Sequence, residues 1–484
     1  MKQIKLTTWL ILSAMLLSTA SCGGSAGEAK DTTTGASADD TTAVVGYDYE
    51  GLNYDGYTFK VLNYDDKWNC YVHLTFDEQT GETLDDAVYS RNLKVEDNLN
   101  FKLEEVKCGD VHETELAKMV MQSVMAGDQD YDAAYIQVQF SPSLLTESYL
   151  LNIRDIPNIQ LDAEHWDGAI NESVTINNVL FTASSPLHFM TLDMANVLLF
   201  NENMMDSLSL DYPYQLVRDG KWTLDKFQEY VSACTNLNGD SSFKFNDEGN
   251  AVYGIAGHHS LPYAFAYAAG HRLIARDGSD YTINLDSEKF YTTVEKIARF
   301  FNTTSGHVLC NADTSAPSSY LRTFRNARSG FITCELKSAL ELRDMQDTFG
   351  LLPMPKYDEA QEGYSSMMSA AAAWLTVPMV QEDIGRTGKI LDALSYESWK
   401  SVLPIYYDVT VSQKGLRNEE SIEMLEIIRN NMGVEFSDIL GITTDYVYAL
   451  NISIWNEKAN PASLGATHRP KIEANLAEAL EAFH

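Results

Sequence analysis

Apolar and polar positions along this chain follow two alternating rhythms. In YTFKVLNY (57–64) they alternate residue by residue, the period of a half-buried strand. In TLDDAVYSRNLKVEDNLN, Leu84, Val88, Val95 and Leu99 fall on one helical face. FKLEEV (101–106) reads as a second strand. ETELAKMVMQSVMAGDQ reads as a second helix, with Leu116, Val120 and Val124 in line and Gly127 near its end. YDAAYIQVQ (131–139) is nearly continuous in apolar residues, which suits a third strand covered on both faces. The order β-α-β-α-β predicts a parallel sheet with right-handed crossovers.

A second region with the same rhythms starts around ANVLLFNENMMDSL (195–208). In WTLDKFQEYVSAC, Thr223 is the expected N-cap and Leu224, Phe227 and Val231 share a face. AVYGIAG (251–257) and SGFITCEL (329–336) read as strands, with the amphipathic SEKFYTTVEKIARFFN (287–302) between them. FGLLPMP (349–355) is apolar and punctuated by prolines, and is expected to be a short extended linker between lobes. RPKIEANLAEALEAFH is expected to be a helix with Pro470 near its start and Ile472, Leu476, Leu480 and Phe483 as its stripe. No internal repeat at a fixed period is visible.

The first residues do not belong to either rhythm. Lys2 and Lys5 form a basic segment, followed by the mostly apolar Leu6 to Leu17. As a helix that run spans about 18 Å at ~1.5 Å per residue, short of an about 30 Å hydrocarbon core. It therefore reads as a cleavable signal. Thr19-Ala20-Ser21-Cys22 follows and resembles the bacterial lipobox, with Thr19 in place of the usual leucine. Cys22 is the expected lipidation site. Gly23 to Gly46 is rich in Gly, Ser, Ala, Thr and Asp and reads as a flexible tether, with order expected from about Tyr47.

The chain has 484 residues, and 35 basic against 69 acidic residues give a net charge of −34. That charge repels phosphate backbones and argues against nucleic-acid binding. The 26 tyrosines each pair an apolar face with a hydroxyl, a combination that serves sugar binding and packing alike. Beyond Cys22, Cys70, Cys108, Cys234, Cys310 and Cys334 form no CxxC or other metal-like spacing. Cys310 could pair with Cys334, but isolated buried thiols fit the odd count better.

Enzyme signatures are missing: there is no G-x-S-x-G, H-E-x-x-H, Walker loop or G-x-G-x-x-G. His258-His259 in a strand would point to opposite faces, so a shared metal would need a turn there. NDEGNAVYG (246–254) lacks the ligand alternation of a calcium loop and reads as a polar hairpin. Asp65-Asp66 and Asp85-Asp86 could hint at a glycosidase, yet a chain this acidic has many chance pairs. No catalytic residue, metal or cofactor is expected.

Several segments in order resemble one family. NVLLFNENMMDSLSLDYP is similar to its apolar strand and Asn-led helix, GKWTLDKFQEYV to its Trp-Thr-x-x-x-Phe helix start, and FGLLPMPKYDE to its Gly-x-x-P-x-P return. YYDVTVSQKGLRNEESIEML (406–425) is similar to a stretch common in the clostridial branch. The chain resembles the lipid-anchored extracellular solute-binding proteins of bacterial carbohydrate-uptake ABC transporters. That resemblance implies an α/β, bilobed periplasmic-binding-protein-like fold (type II), two α/β lobes joined by a multi-segment hinge. The expected boundaries are a signal peptide (1–21), a lipid-anchored linker (22–47), one lobe from 48–187 with 356–404, and another from 188–355 with 405–484. The implied partners are a mono- or oligosaccharide and ABC permease subunits, with membrane contact through the lipid only. The implied state is a monomer on the extracellular face of the cytoplasmic membrane.

In open α/β sheets, ligands sit beyond the carboxyl ends of the strands. That rule nominates Tyr64, Asp65, Asp66 and Trp68 after the first strand, and Gln137, Gln139 and Phe140 after the third. Near the first crossing it nominates Ser184, His188 and Asp193; after 251–257, His258, His259 and Tyr263; after 329–336, Glu335. Trp374, Tyr406 and Asp408 stand near the later crossings. Such residues suit a sugar, whose C–H faces stack on aromatics and whose hydroxyls need planar donors and acceptors. A surface sensor or adhesin without a permease, and a glycoside-processing enzyme, are the competing readings.

Overall fold

The computed structural model describes residues 46–484 apart from 110, 245–247, 259, 279, 302–306, 310–318, 410–418 and 484, and 307–309 are described by their backbone alone. Cys22 with its leader and tether, His259 and Cys310 lie outside the described residues. Nine strands make the two main sheets. They are β1 (Tyr57–Asn63), β2 (Phe101–Lys107), β3 (Ala133–Ile136), β4 (Asn196–Asn201), β5 (Tyr253–Gly257), β6 (His307–Leu309), β7 (Ser329–Glu335), β8 (Phe349–Leu352) and β9 (Trp374–Thr376).

The first sheet has the order β9-β3-β1-β2. β1 runs parallel to both β2 and β3, as the alternating pattern predicts. Helix α1 (Thr83–Leu99) buries Leu84, Val88, Val95 and Leu99, the stripe read from the sequence, and α2 (Glu115–Ala126) buries Leu116 and Val120. The third strand is shorter than expected. It ends at Ile136, and Val138–Phe140 form a single 3₁₀ turn because Gln137 leaves the extended region (φ −76°, ψ 75°).

The second sheet has the order β8-β4-β7-β5-β6. β4 is antiparallel to β7 and β8, while β5 is parallel to β7 and β6. Helix α3 (Leu224–Cys234) starts where expected: the Thr223 side chain accepts a hydrogen bond from the Lys226 amide, a cap that contributes about 1 kcal/mol. Its Phe227 packs on Phe331 of β7 and Phe300 of α4 (Glu288–Phe300). Trp222 is fully buried, and its indole N–H donates to the Pro353 carbonyl at 3.1 Å.

Two expectations need correction. Phe349–Leu352 is strand β8 and not part of a linker. All four residues are buried, and pairing with β4 satisfies backbone groups that burial would otherwise orphan. The last helix, Pro461–Ala482, begins nine residues before Pro470, which lies in its interior. Asn460 caps it by accepting from the Ser463 amide at 3.0 Å, and Pro461 takes the first turn. Burial of Gly465, Ile472, Leu476 and Ala479 offsets the hydrogen bond that Pro470 cannot donate.

Helices α5 (Ile384–Glu397) and α6 (Leu403–Asp408) flank a π-helical stretch, Ser398–Val402, and lead from the first sheet toward the crossing segments.

Candidate functional site

The carboxyl ends of strands from both sheets converge on one cluster. After β1, Trp68 (φ 54°) and Asn69 (φ 58°) adopt left-handed backbone, a strained choice for a tryptophan. The turn buries Lys67, whose ammonium reaches the Val111 carbonyl and Glu113. It also leaves Trp68 37% exposed, its ring edge-on to the similarly exposed Phe140 that follows β3.

Asp193, in the short helix Met190–Asp193, is the centre of the cluster. Its carboxylate accepts from the Tyr71 amide and from the Tyr406 hydroxyl, each at 2.6 Å. Its carbonyl accepts from the Lys337 amide at 3.0 Å. The Lys337 ammonium lies 3.4 Å from Glu335 and donates to the Trp68 carbonyl. The loop after β1, the crossing, α6 and the end of β7 are thus tied together.

Aromatic rings line the same place. Phe189 stacks on Tyr406 with centroids 4.5 Å apart, and Tyr71 packs edgewise on Phe189 and His73. His188 stacks on Tyr135 of β3 at 4.3 Å.

Burial sets the electrostatics. It pushes the Asp193 carboxyl up to about 6, against the hydrogen bonds from Tyr406 and Tyr71. Burial and the nearby Asp193 hold the Tyr406 hydroxyl well above its ordinary value. Burial, with His73 beside it, pushes His188 down to about 3, so its imidazole is neutral.

Of the sequence-nominated residues, the structure brings Trp68, Phe140, His188, Asp193, Glu335 and Tyr406 to this cluster. Gln137 follows Tyr135 by two residues and is fully buried, its side-chain amide donating to the Ala371 carbonyl at 2.7 Å. Gln139 hydrogen-bonds Asp438. Ser184 donates to Asp167 at 2.6 Å. Tyr64 is buried, and its hydroxyl donates to the Glu113 carbonyl.

Other nominees stand elsewhere. Asp65 is exposed, 3.7 Å from Lys107, and Asp66 is exposed beside it. Trp374 is fully buried in β9, its indole N–H directed at the Ala370 carbonyl. His258 bonds Ser260 and lies beside Tyr320. Tyr263 is buried in a second polar group, donating to Glu435 at 2.9 Å. Asp408 is exposed at the end of α6.

Sequence reasoning missed Tyr71, His73, Phe189 and Lys337. Phe189 and Lys337 adjoin or nearly adjoin nominees. Tyr71 and His73 sit in a loop with no periodic signal. Among the described residues no group of three or more His, Cys, Asp or Glu could hold a metal, and no helix is long and apolar enough to cross a membrane.

No family model matches the sequence, and no curated protein matches it. Solved structures do. The galacto-N-biose/lacto-N-biose I-binding protein of an ABC transporter from Bifidobacterium longum, in complex with lacto-N-biose, has a TM-score of 0.59 at 10% identity, covering 88% of this chain and 98% of that one. A maltose-binding periplasmic protein from Listeria monocytogenes in complex with maltose has 0.57 at 14% identity, covering 88% and 99%. An ABC substrate-binding protein from Listeria monocytogenes in complex with cycloalternan has 0.56 at 12% identity, covering 87% and 100%. The fold is therefore the α/β, bilobed fold of periplasmic-binding-protein-like sugar-binding proteins.

Proposed function

We propose that this protein captures a mono- or oligosaccharide between two α/β lobes by hinge closure and delivers it to an ABC transporter permease. The observation that carries this reading is the convergence on Asp193 of the loop after β1, the crossing, α6 and the end of β7. Strand ends from two sheets meeting at one aromatic and polar cluster are what a solute caught between lobes requires. The fold shared with proteins solved in complex with maltose and lacto-N-biose supports a sugar as that solute.

The rest of the reading follows from the sequence. The lobes are 48–187 with 356–404 and 188–355 with 405–484, and the first sheet and the second fall on these two sides. Cys22 carries the lipid, residues 22–47 form the leash, and the monomer works on the outer face of the cytoplasmic membrane. Lipidation there would take more than one acyl chain, because a single chain anchors only marginally.

A thermal-shift screen against a glycan library tests the reading, because a bound solute stabilises the native state by mass action. A dose-dependent rise with at least one sugar is expected. A rise only with peptides or polyamines would overturn the sugar assignment.

A further inference from the structure

Glu172 is gripped by two arginines that belong to different sides of the molecule. Arg154 Nη2 donates to one carboxylate oxygen at 2.8 Å, and Arg276 Nη2 donates to the other at 3.2 Å. The same arginines converge on Thr175. Arg154 donates to its hydroxyl at 3.1 Å, and Arg276 Nη1 donates to its backbone carbonyl. Arg276 Nη2 also reaches the Glu172 carbonyl at 3.4 Å.

Glu172, Thr175 and Arg154 are held to the first sheet. Glu172 lies in the helix Gly168–Val174, and Thr175 ends it. Asn171 exchanges two hydrogen bonds with the Ser184 backbone, at 2.7 and 3.0 Å, and the adjacent Ala183 amide donates to the Leu375 carbonyl of β9. Trp166, just before the helix, donates to Asp392 of α5. The Ile153 amide, next to Arg154, donates to the Leu180 carbonyl.

Arg276 is held to the second sheet. It lies in a pair of short antiparallel strands, Ile274–Asp277 and Asp280–Ile283. The Leu273 amide just before them and the Tyr263 hydroxyl share the Glu435 carboxylate. Phe265, two residues after Tyr263, stacks on Phe227, which packs on Phe331 of β7.

The contact next to the arginines is apolar. Val174, Ile176 and Phe181 line one small cavity with Phe436, Leu440 and Phe483, and Tyr281 of the paired strands packs edgewise on Phe436 at 5.8 Å. Apolar contact is non-directional, so the forked guanidinium bonds supply the direction.

We infer that Glu172, bridged by Arg154 and Arg276, is an ionic latch that holds the two lobes in the orientation seen here and makes their closure sensitive to ionic strength. This rests on the two-lobe, hinge-closure reading above. Strand ends from both sheets already meet at Asp193 in this orientation, so the alternative is a more open one. A tie made in one state and lost in the other shifts the equilibrium between them. Without Glu172 the two cations would also repel each other. The side chains of Arg154, Arg276 and Glu172 are 25%, 30% and 61% exposed, so dissolved salt screens them.

The test is small-angle scattering of the sugar-free protein beside Arg276→Gln, Glu172→Gln and a control, Arg218→Gln. Arg218 is as exposed as Arg276 and also pairs with two glutamates, Glu420 and Glu423. Those partners lie on its own side, in the helix Glu419–Asn430, whose Ser421 accepts from the Leu351 amide of β8. At about 50 mM salt both latch variants should have a larger radius of gyration than the parent, and the control should match the parent. Raising the salt to about 0.5 M should enlarge the parent and the control and add little to the latch variants. An unchanged circular-dichroism spectrum shows that each variant is folded, and the salt response of the parent needs no variant at all. A radius unmoved in both folded latch variants, an equal rise in Arg218→Gln, or a parent insensitive to salt would overturn the inference. Failure of every sugar to bind would overturn the capture reading instead, and the sugar-free scattering would still decide the latch.

Discussion

The Tyr406 hydroxyl donates a 2.6 Å hydrogen bond to the buried carboxylate of Asp193, across 213 residues of chain. The other oxygen of that carboxylate holds the Tyr71 amide. One side chain therefore fixes the loop after β1 and helix α6 to the crossing between the sheets.

Tyr406→Phe removes one donor from a fully buried acceptor. The expected loss is about 1–3 kcal/mol of unfolding free energy, measured by denaturant titration, together with weaker sugar binding. The Phe189 stack survives in this variant, so a loss far above that range would mean that Tyr406 acts through more than its hydroxyl.

Asp193 and His188 titrate in opposite senses. Asp193 has a native pKa raised to about 6 from 3.8. The native state therefore holds its proton more tightly, and this contribution is present below about 3.8 and lost as pH rises through about 6. His188 has a native pKa lowered to about 3 from 6.5, so its contribution is present above 6.5 and lost as pH falls. Between pH 4 and 6 the two oppose each other. Asp193→Asn should make stability fall more steeply on acidification in that window, and His188→Gln should make it fall less steeply than in the parent. Unfolding curves at several pH values check this, and parallel curves for all three proteins would contradict it.

Trp68 combines an exposed ring with left-handed backbone. Trp68→Gly relieves the backbone strain, so stability should hold or rise by up to about 1 kcal/mol. Loss of the ring should weaken sugar binding, by roughly 10-fold if a sugar stacks there. Calorimetry and thermal melts on the same sample separate the two effects.

Lys337 bridges Glu335 and the Trp68 carbonyl, joining the end of β7 to the loop after β1. Lys337→Met removes the tie while keeping the side-chain stem. In small-angle scattering the sugar-free variant should have a larger radius of gyration than the sugar-free parent, and saturating sugar should restore the parent value. No difference without sugar would show that Lys337 does not hold the lobes together.

The regular elements were legible because their apolar stripes are local. Leu84, Val88, Val95 and Leu99 announce α1 within 17 residues, and the β-α-β-α-β order dictates the parallel pairing of β1 with β2 and β3, though not the antiparallel edge strand β9. Phe349–Leu352 was not legible as a strand, because a four-residue apolar run before prolines lacks periodicity and its partner β4 lies about 150 residues away along the chain. Trp68, Phe140 and Glu335 were reached from where strands stop, and His188, Asp193 and Tyr406 from where the chain crosses between lobes. Neither guide could separate these from Asp65 or Asp408, because exposure depends on tertiary packing. Tyr71 and His73 escaped both, as their place is set by long-range bonds such as Tyr71 to Asp193.

Hydrogen exchange with and without saturating sugar tests the central claim most directly, because it reports where the solute is held. The account predicts that protection rises together in four separate segments: 68–74 after β1, 137–140 after β3, 185–193 at the crossing, and 335–338 after β7. Protection confined to other segments, such as those around Tyr263 and Glu435, with these four unchanged, would contradict it.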